Sequence, residues 1–172
     1  MSPAGFSAAT VLDEVKAGAT LQSVADAHSM DQIVGAVRDA ITGLRLGVAS
    51  LDEAALHRVA GLELWSIAEI AGHVLRMDEA AHAVARSLAV GQRPDPRIPY
   101  GVAGAADVTR EDLLAGIRAA DERLATARVL AAGGPTVPHA ELGELSARGW
   151  ILFIGLHAAA HLHQAAALVR AR

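Results

Sequence analysis

The sequence predicts an all-α protein built as a four-helix bundle with a short helical N-terminal extension. Three observations predict it. Apolar residues make up 52% of the chain, mostly Ala, Leu and Val with few β-branched runs, and Ala and Leu are strong helix formers. Four long segments carry apolar residues at the i, i+3/i+4, i+7 spacing of one helix face. The last of them, Gly149 to Val169, runs 21 residues without Asp, Glu, Lys or Arg, as expected of a helix surrounded by others. A chain of 172 residues fits one domain burying about 70% of its unfolded surface.

Residues 1–29 read as a helical extension and residues 30–172 as the bundle. Within the extension, apolar spacing is broken at Gly18-Ala19-Thr20 and again near Ser29, giving two short helices. Helix-turn-helix modules use a similar spacing. Lys16 is the only basic residue before Arg38, however, so phosphate contacts would be scarce and a packing or dimer-forming cap is the better reading. The first long helix runs from about Asp31 to Ser50 on Ile33, Val34, Val37, Ile41, Leu44 and Val48. A mixed linker follows, with a break expected at Gly61. Ser66-x-x-Glu69 has the form of a capping box and opens the second helix, which ends near Gly91. On it His73, Met77 and Ala80 share a face, and His82 falls about 180° from His73, toward solvent.

A loop with three Pro and three Gly, GQRPDPRIPYGVAGAADV, separates this helix from the third. Connections of that length inside a domain are functional lids or solvated segments. It carries Tyr100, Arg93 and Arg97. Thr109-x-x-Asp112 caps the third helix, stopped by Gly133-Gly134-Pro135. After a second loop, TVPHAELGEL, in which no strand is expected, the fourth helix runs from about Ser146 to Arg170.

Net charge of −4 and five aromatic residues argue against a nucleic-acid partner. The absence of cysteine excludes disulfides, thiolate metal sites and a Cys nucleophile, so any metal must be held by His and carboxylates. No basic segment opens the N-terminus, and a cytoplasmic location with no membrane partner is expected. The uncharged stretch is long enough to span a bilayer, but three His and one Gln would be costly in lipid.

That stretch holds the chemistry. His157 and His161 are four apart, about 40° from each other on a helix, with Cβ atoms roughly 5–6 Å apart, so both rings can converge on one metal ion. His73 adds an imidazole on the inward face of a facing helix, which is how bundles build metal sites. Ala158 stands where a zincin protease has Glu, so the His-Glu-x-x-His chemistry is excluded. Glu69 and Gln164 are spaced to take the outer N–H of a ligand ring. For Glu69 the competing role is the capping box; for Gln164 it is a helix–helix hydrogen bond. His163 lies about 120° from His157 and is read as a non-ligand. His28, His57 and His139 read as surface residues, Trp65 as a core anchor. Met77 and Tyr100 are candidates for the wall of a pocket.

Trp65-Ser66-x-x-Glu69-x-x-x-His73 resembles the WSxxExxxH signature of the DinB/YfiT-like superfamily, and His157-x-x-x-His161-x-x-Gln164 resembles the HxxxHxxQ pattern of its last helix. The resemblance covers roughly Asp31 to Arg172. It implies an up-down-down-up bundle, frequent homodimers, and a divalent metal, typically Zn or Ni, held by His73, His157 and His161. Fe²⁺ is also compatible with three imidazoles. Relatives include metal-dependent transferases and isomerases that use low-molecular-weight thiols such as bacillithiol or mycothiol; many have no known reaction. The chain departs from the pattern in its N-terminal extension and in Ala158–Ala160, where relatives often carry an acidic residue. The expected function is a metal-dependent transferase or hydrolase acting on a small thiol or electrophile. The alternatives are a non-catalytic metal-binding stress protein and a metal-free helical interaction module.

Overall fold

A computed structural model of the chain describes residues 5–59, 65–96, 98, 100–131 and 133–170. The break expected at Gly61 and the side chain of Arg97 lie outside the described residues. Seven helices are described: α1 (Ala8–Lys16), α2 (Leu21–Ala27), α3 (Met30–Ala49), the single turn α4 (Glu53–Leu56), α5 (Ile67–Ala89), α6 (Arg110–Thr126) and α7 (Ala147–Arg170). The expected starts hold because side-chain oxygens take the free N–H groups of each first turn. Ser29 with Gln32, Ser66 with Glu69, and Thr109 with Asp112 form reciprocal capping boxes at α3, α5 and α6.

The bundle is formed by α3, α5, α6 and α7, and cross-helix contacts fix the directions. Val37 meets Gly155 and Gly43 meets Leu162, so α3 and α7 run parallel. Arg38 pairs with Asp121, Arg128 with Asp31, and Arg110 Nη1 donates to the Leu51 carbonyl, so α6 runs antiparallel to α3. Leu75 lies against Gly116 and Asp78 against Arg123, so α5 and α6 run parallel. The order is therefore up-down-down-up. Parallel α5 and α6 need a connection that returns the length of the bundle, and the Pro/Gly-rich loop provides it.

The N-terminal helices lie on α7 through Ala8, Val11, Leu21, Val24 and Ala25, all buried. Gln22 fixes α2 to the start of α7: its Oε1 accepts from the Ser146 N–H at 2.8 Å and its Nε2 donates to Ser146 Oγ at 3.0 Å. By length and composition alone, Ala147–Val169 could cross a membrane, yet residues 150–154, Leu156, Ala158 and Ala159 are buried within the bundle.

Two expectations need correction. The loop TVPHAELGEL contains an antiparallel hairpin, β1 (Val137–His139) with β2 (Gly143–Leu145), paired Val137 to Leu145 and His139 to Gly143. His82 does not face solvent: it is 2% exposed because α5 is covered on the side away from α7 as well, by α6.

Candidate metal centre

Three imidazoles from two helices meet at one point. The Ser66 cap starts α5 so that His73, two turns on, faces α7, where it is 4% exposed. From α7, one turn apart, His157 and His161 face back, both half-buried. His157 Nε2 lies 3.1 Å from His73 Nε2 and 3.2 Å from His161 Nε2. Nitrogens at tetrahedral angles about 2.0–2.1 Å from a zinc ion would stand roughly 3.3 Å apart.

Proton placement bears on what such a cluster can hold. His73 Nδ1 is 2.9 Å from the Val102 carbonyl oxygen, which can only accept, so Nδ1 carries the proton and Nε2 a lone pair. His161 Nδ1 is 2.9 Å from Gln164 Oε1, which assigns it the same tautomer. Two lone pairs therefore point at His157 Nε2, which has at most one hydrogen to give. A cation at the centre satisfies all three nitrogens. The rings are also held neutral, as ligands must be. Burial, reinforced by His161, His73 and His139, pushes His157 down to about 3; burial likewise lowers His73 and His161.

The His73 partner comes from the long loop, which lies as a strap along α5. Gly104 N–H donates to the Glu69 carbonyl at 2.9 Å, and the backbone there touches α5 at Gly72. A Cβ on Gly104 would stand 2.5 Å from the Glu69 oxygen and 2.9 Å from Gly72 Cα, so only glycine allows the approach. Arg76 donates to the carbonyls of Val102 and Ala103, which holds the segment whose Val102 oxygen orients His73. Arg93 Nε donates to the Thr136 carbonyl at 3.2 Å and ties the strap to the hairpin.

A family model described as the DinB superfamily matches residues 21–165. The chain belongs to the DinB superfamily. Among solved structures it is similar to one described as TT2238, a four-helix bundle protein, with a TM-score of 0.65 at 22% identity, covering 81% of this chain and 99% of that one. At that identity the likeness speaks for the fold alone. No curated protein sequence matches the chain.

Seen in this DinB-superfamily bundle, the residues singled out from the sequence separate clearly. Gln164 meets His161, as its spacing suggested. The Glu69 carboxylate is committed to the cap: Oε2 accepts from the Ser66 N–H at 2.7 Å, and the oxygen on the His73 ring is Val102's instead. Met77 is 1% exposed and belongs to the core rather than to an open pocket wall. Exposed His163 takes no part in the cluster. His28 is half-buried, stacked on Phe6 at 3.8 Å, and His57 pairs with Glu53.

The sequence reading missed the wall around the cluster. Trp65 is more than a core anchor, since its half-buried ring stands 5.0 Å from the His73 ring and 6.4 Å from that of His161. His139, expected at the surface, is 6% exposed, with its ring 4.5 Å from Phe153, 5.3 Å from Trp150 and 4.9 Å from Tyr100. Phe153 in turn lies 5.3 Å from His157. Four of the five aromatic residues, all but Phe6, thus line one continuous patch with four histidines. Composition shows how few aromatics the chain has, but not that four of them gather, because Trp65, Tyr100 and the Trp150–Phe153 pair are far apart in sequence.

Proposed function

We propose that this protein binds one divalent metal ion through Nε2 of His73, His157 and His161 and acts as a metal-dependent transferase or hydrolase on a small thiol or electrophile. The observation that carries the reading is the proton count: three inward nitrogens, two of them with protons committed outward to Val102 and Gln164. Zinc and nickel suit three neutral imidazoles best, and iron(II) is compatible. When bound, such an ion is a Lewis acid that makes a thiol or water more acidic.

The chain's own residues support this in distinct ways. Val102 and Gln164 fix ring orientation and tautomer. Trp65 and Phe153 exclude water from two sides, which strengthens electrostatic interactions at the centre. With no cysteine in the chain, a reacting thiol must come from a cosubstrate. With Ala158–Ala160 between the α7 ligands and Glu69 in its cap, neither position supplies a free carboxylate as base.

Elemental analysis of the purified protein tests the metal. One ion per chain is expected, lost in His157→Ala; a variant with full metal content would remove the site assignment. Screening the loaded protein against thiol–electrophile pairs tests the reaction. A second reading, an ion that only staples α5 to α7, is favoured by the deep burial of His73. It expects a large fall in melting temperature on chelation and no turnover.

A further inference from the structure

His139 has a use that the metal cluster does not absorb. It ends β1, and its Nδ1 accepts from the backbone N–H of Glu141 at 3.1 Å and of Leu142 at 3.3 Å, capping the hairpin turn. Nδ1 therefore carries the lone pair, and the neutral ring, kept neutral by burial, has its proton on Nε2. That Nε2 is buried without a hydrogen-bond partner among the described residues. The indole Nε1 of Trp150, in the ring 5.3 Å away, is buried and unpartnered as well.

Two orphan N–H donors in neighbouring buried rings are uncommon, because each forfeits a hydrogen bond it would make with water when unfolded. Contacts of N–H with the aromatic faces nearby recover only a minor part of that loss. Both are donors and neither is a cation, so the group that satisfies them is an acceptor. The cluster one aromatic ring away points to its charge. Three neutral imidazoles leave a divalent ion's two positive charges uncompensated, and the Glu69 carboxylate is held in its cap. The Glu141 carboxylate, which follows His139 in the turn and acts on its ring, is exposed and screened by solvent.

We propose that His139 and Trp150 form an oxygen-accepting subsite beside the histidine cluster, and that the small molecule bound there carries a carboxylate whose oxygen accepts from His139 Nε2–H. The choice of an anion rests on the metal reading above; the pair of orphan donors does not. Phe153, between the rings of His139 and His157, forms the floor that such a molecule spans. Tyr100, on the strap and 38% exposed, stands edge-on to His139 on the other side.

The test uses full-length, zinc-loaded protein and acetate as the probe. His139→Asn keeps an oxygen that can accept from the two turn N–H groups, as Asn does in turns, and deletes only the buried donor. His139→Gln returns an N–H near the lost one. Acetate affinity is expected to fall about 10- to 100-fold in His139→Asn and to recover most of that in His139→Gln, with zinc content equal in all three. The Trp150 indole N–H resonance, assigned by its loss in Trp150→Phe, is expected to shift on adding acetate, in zinc-loaded and chelator-treated protein alike. Unchanged acetate affinity in His139→Asn, or an indole signal that acetate leaves in place, overturns the proposal. A signal moved equally by chloride at the same ionic strength overturns the carboxylate assignment. Full zinc in His157→Ala would sink the metal reading and with it the charge argument for an anion, while the indole shift in chelator-treated protein tests the donor pair separately.

Discussion

Helix α5 carries two buried histidines, and their surroundings differ in kind. His73 meets two more imidazoles from α7 and, among the described residues, no carboxylate. His82, nine residues on, faces Asp78 at 3.5 Å, and Asp78 is clamped by Arg123 from α6, with Nε at 2.9 Å and Nη2 at 2.6 Å from Oδ2. Around His82 the charges close among themselves: one buried carboxylate, one guanidinium, one neutral ring. Around His73 at least two lone pairs converge on a ring with at most one hydrogen to give, and among the described residues no carboxylate joins them. Burial is nearly equal, so burial does not mark the candidate site. What marks it is three imidazole nitrogens converging without a counter-charge. At His82 a buried carboxylate is paired with a guanidinium, even though Asp78 Oδ1 and His82 Nε2 make no hydrogen bond among the described residues.

Removing what each cluster needs should therefore have different consequences. Chelating the metal is expected to have the largest effect. A ligand present at about 1,000 times its Kd contributes about 4 kcal/mol, a fall of roughly 10 °C in melting temperature for a chain of this size. His73→Ala should abolish that response to chelator while folding normally, as read by calorimetry. Arg123→Ala should destabilise by about 3 kcal/mol, because it strands the buried Asp78 carboxylate. Metal content should not change in this variant; a loss of metal would show that the two ends of α5 are coupled. Gly104→Ala comes third. Its Cβ lifts the strap from Gly72 and draws the Val102 oxygen off the His73 ring, and zinc affinity should drop about tenfold in a chelator competition.

Much of the contrast could be read before any coordinates. Capping boxes and helical spacing are local, so Ser66, Thr109 and the His157–His161 pair stood out, and the apolar face around His73 gave the third ring. A helical wheel gives direction but not neighbours. The wheel sets His82 opposite His73, as the structure does, but points it to solvent because it does not show α6 packed there. The Val102 carbonyl had no signature, since any residue supplies a backbone oxygen; Gly72 and Gly104 were its only traces. His139 was hidden by a hairpin whose strands are three residues each, one interrupted by Pro138, too short for alternation to register.

The finest distinction between the clusters lies in how they answer acid. Burial lowers His82 to about 4, with Arg123 and Arg86 adding to it, so its contribution to stability is present above 6.5 and is lost as pH falls through 4. Burial raises Asp78 to about 6 against the pull of Arg123, so its contribution is full below 3.8 and is lost as pH rises through 6. Between pH 4 and 6 the two slopes oppose each other, and the closed cluster is nearly silent. The histidines of the open cluster are all lowered and have no such counterweight. Asp78→Asn should expose the His82 slope. Between pH 7 and pH 5.5 the variant is expected to lose about 1 kcal/mol more stability than the parent, measured by urea unfolding of chelator-treated protein. Parallel curves for variant and parent would mean that Asp78 and His82 do not offset each other, and that the second cluster is not closed in charge.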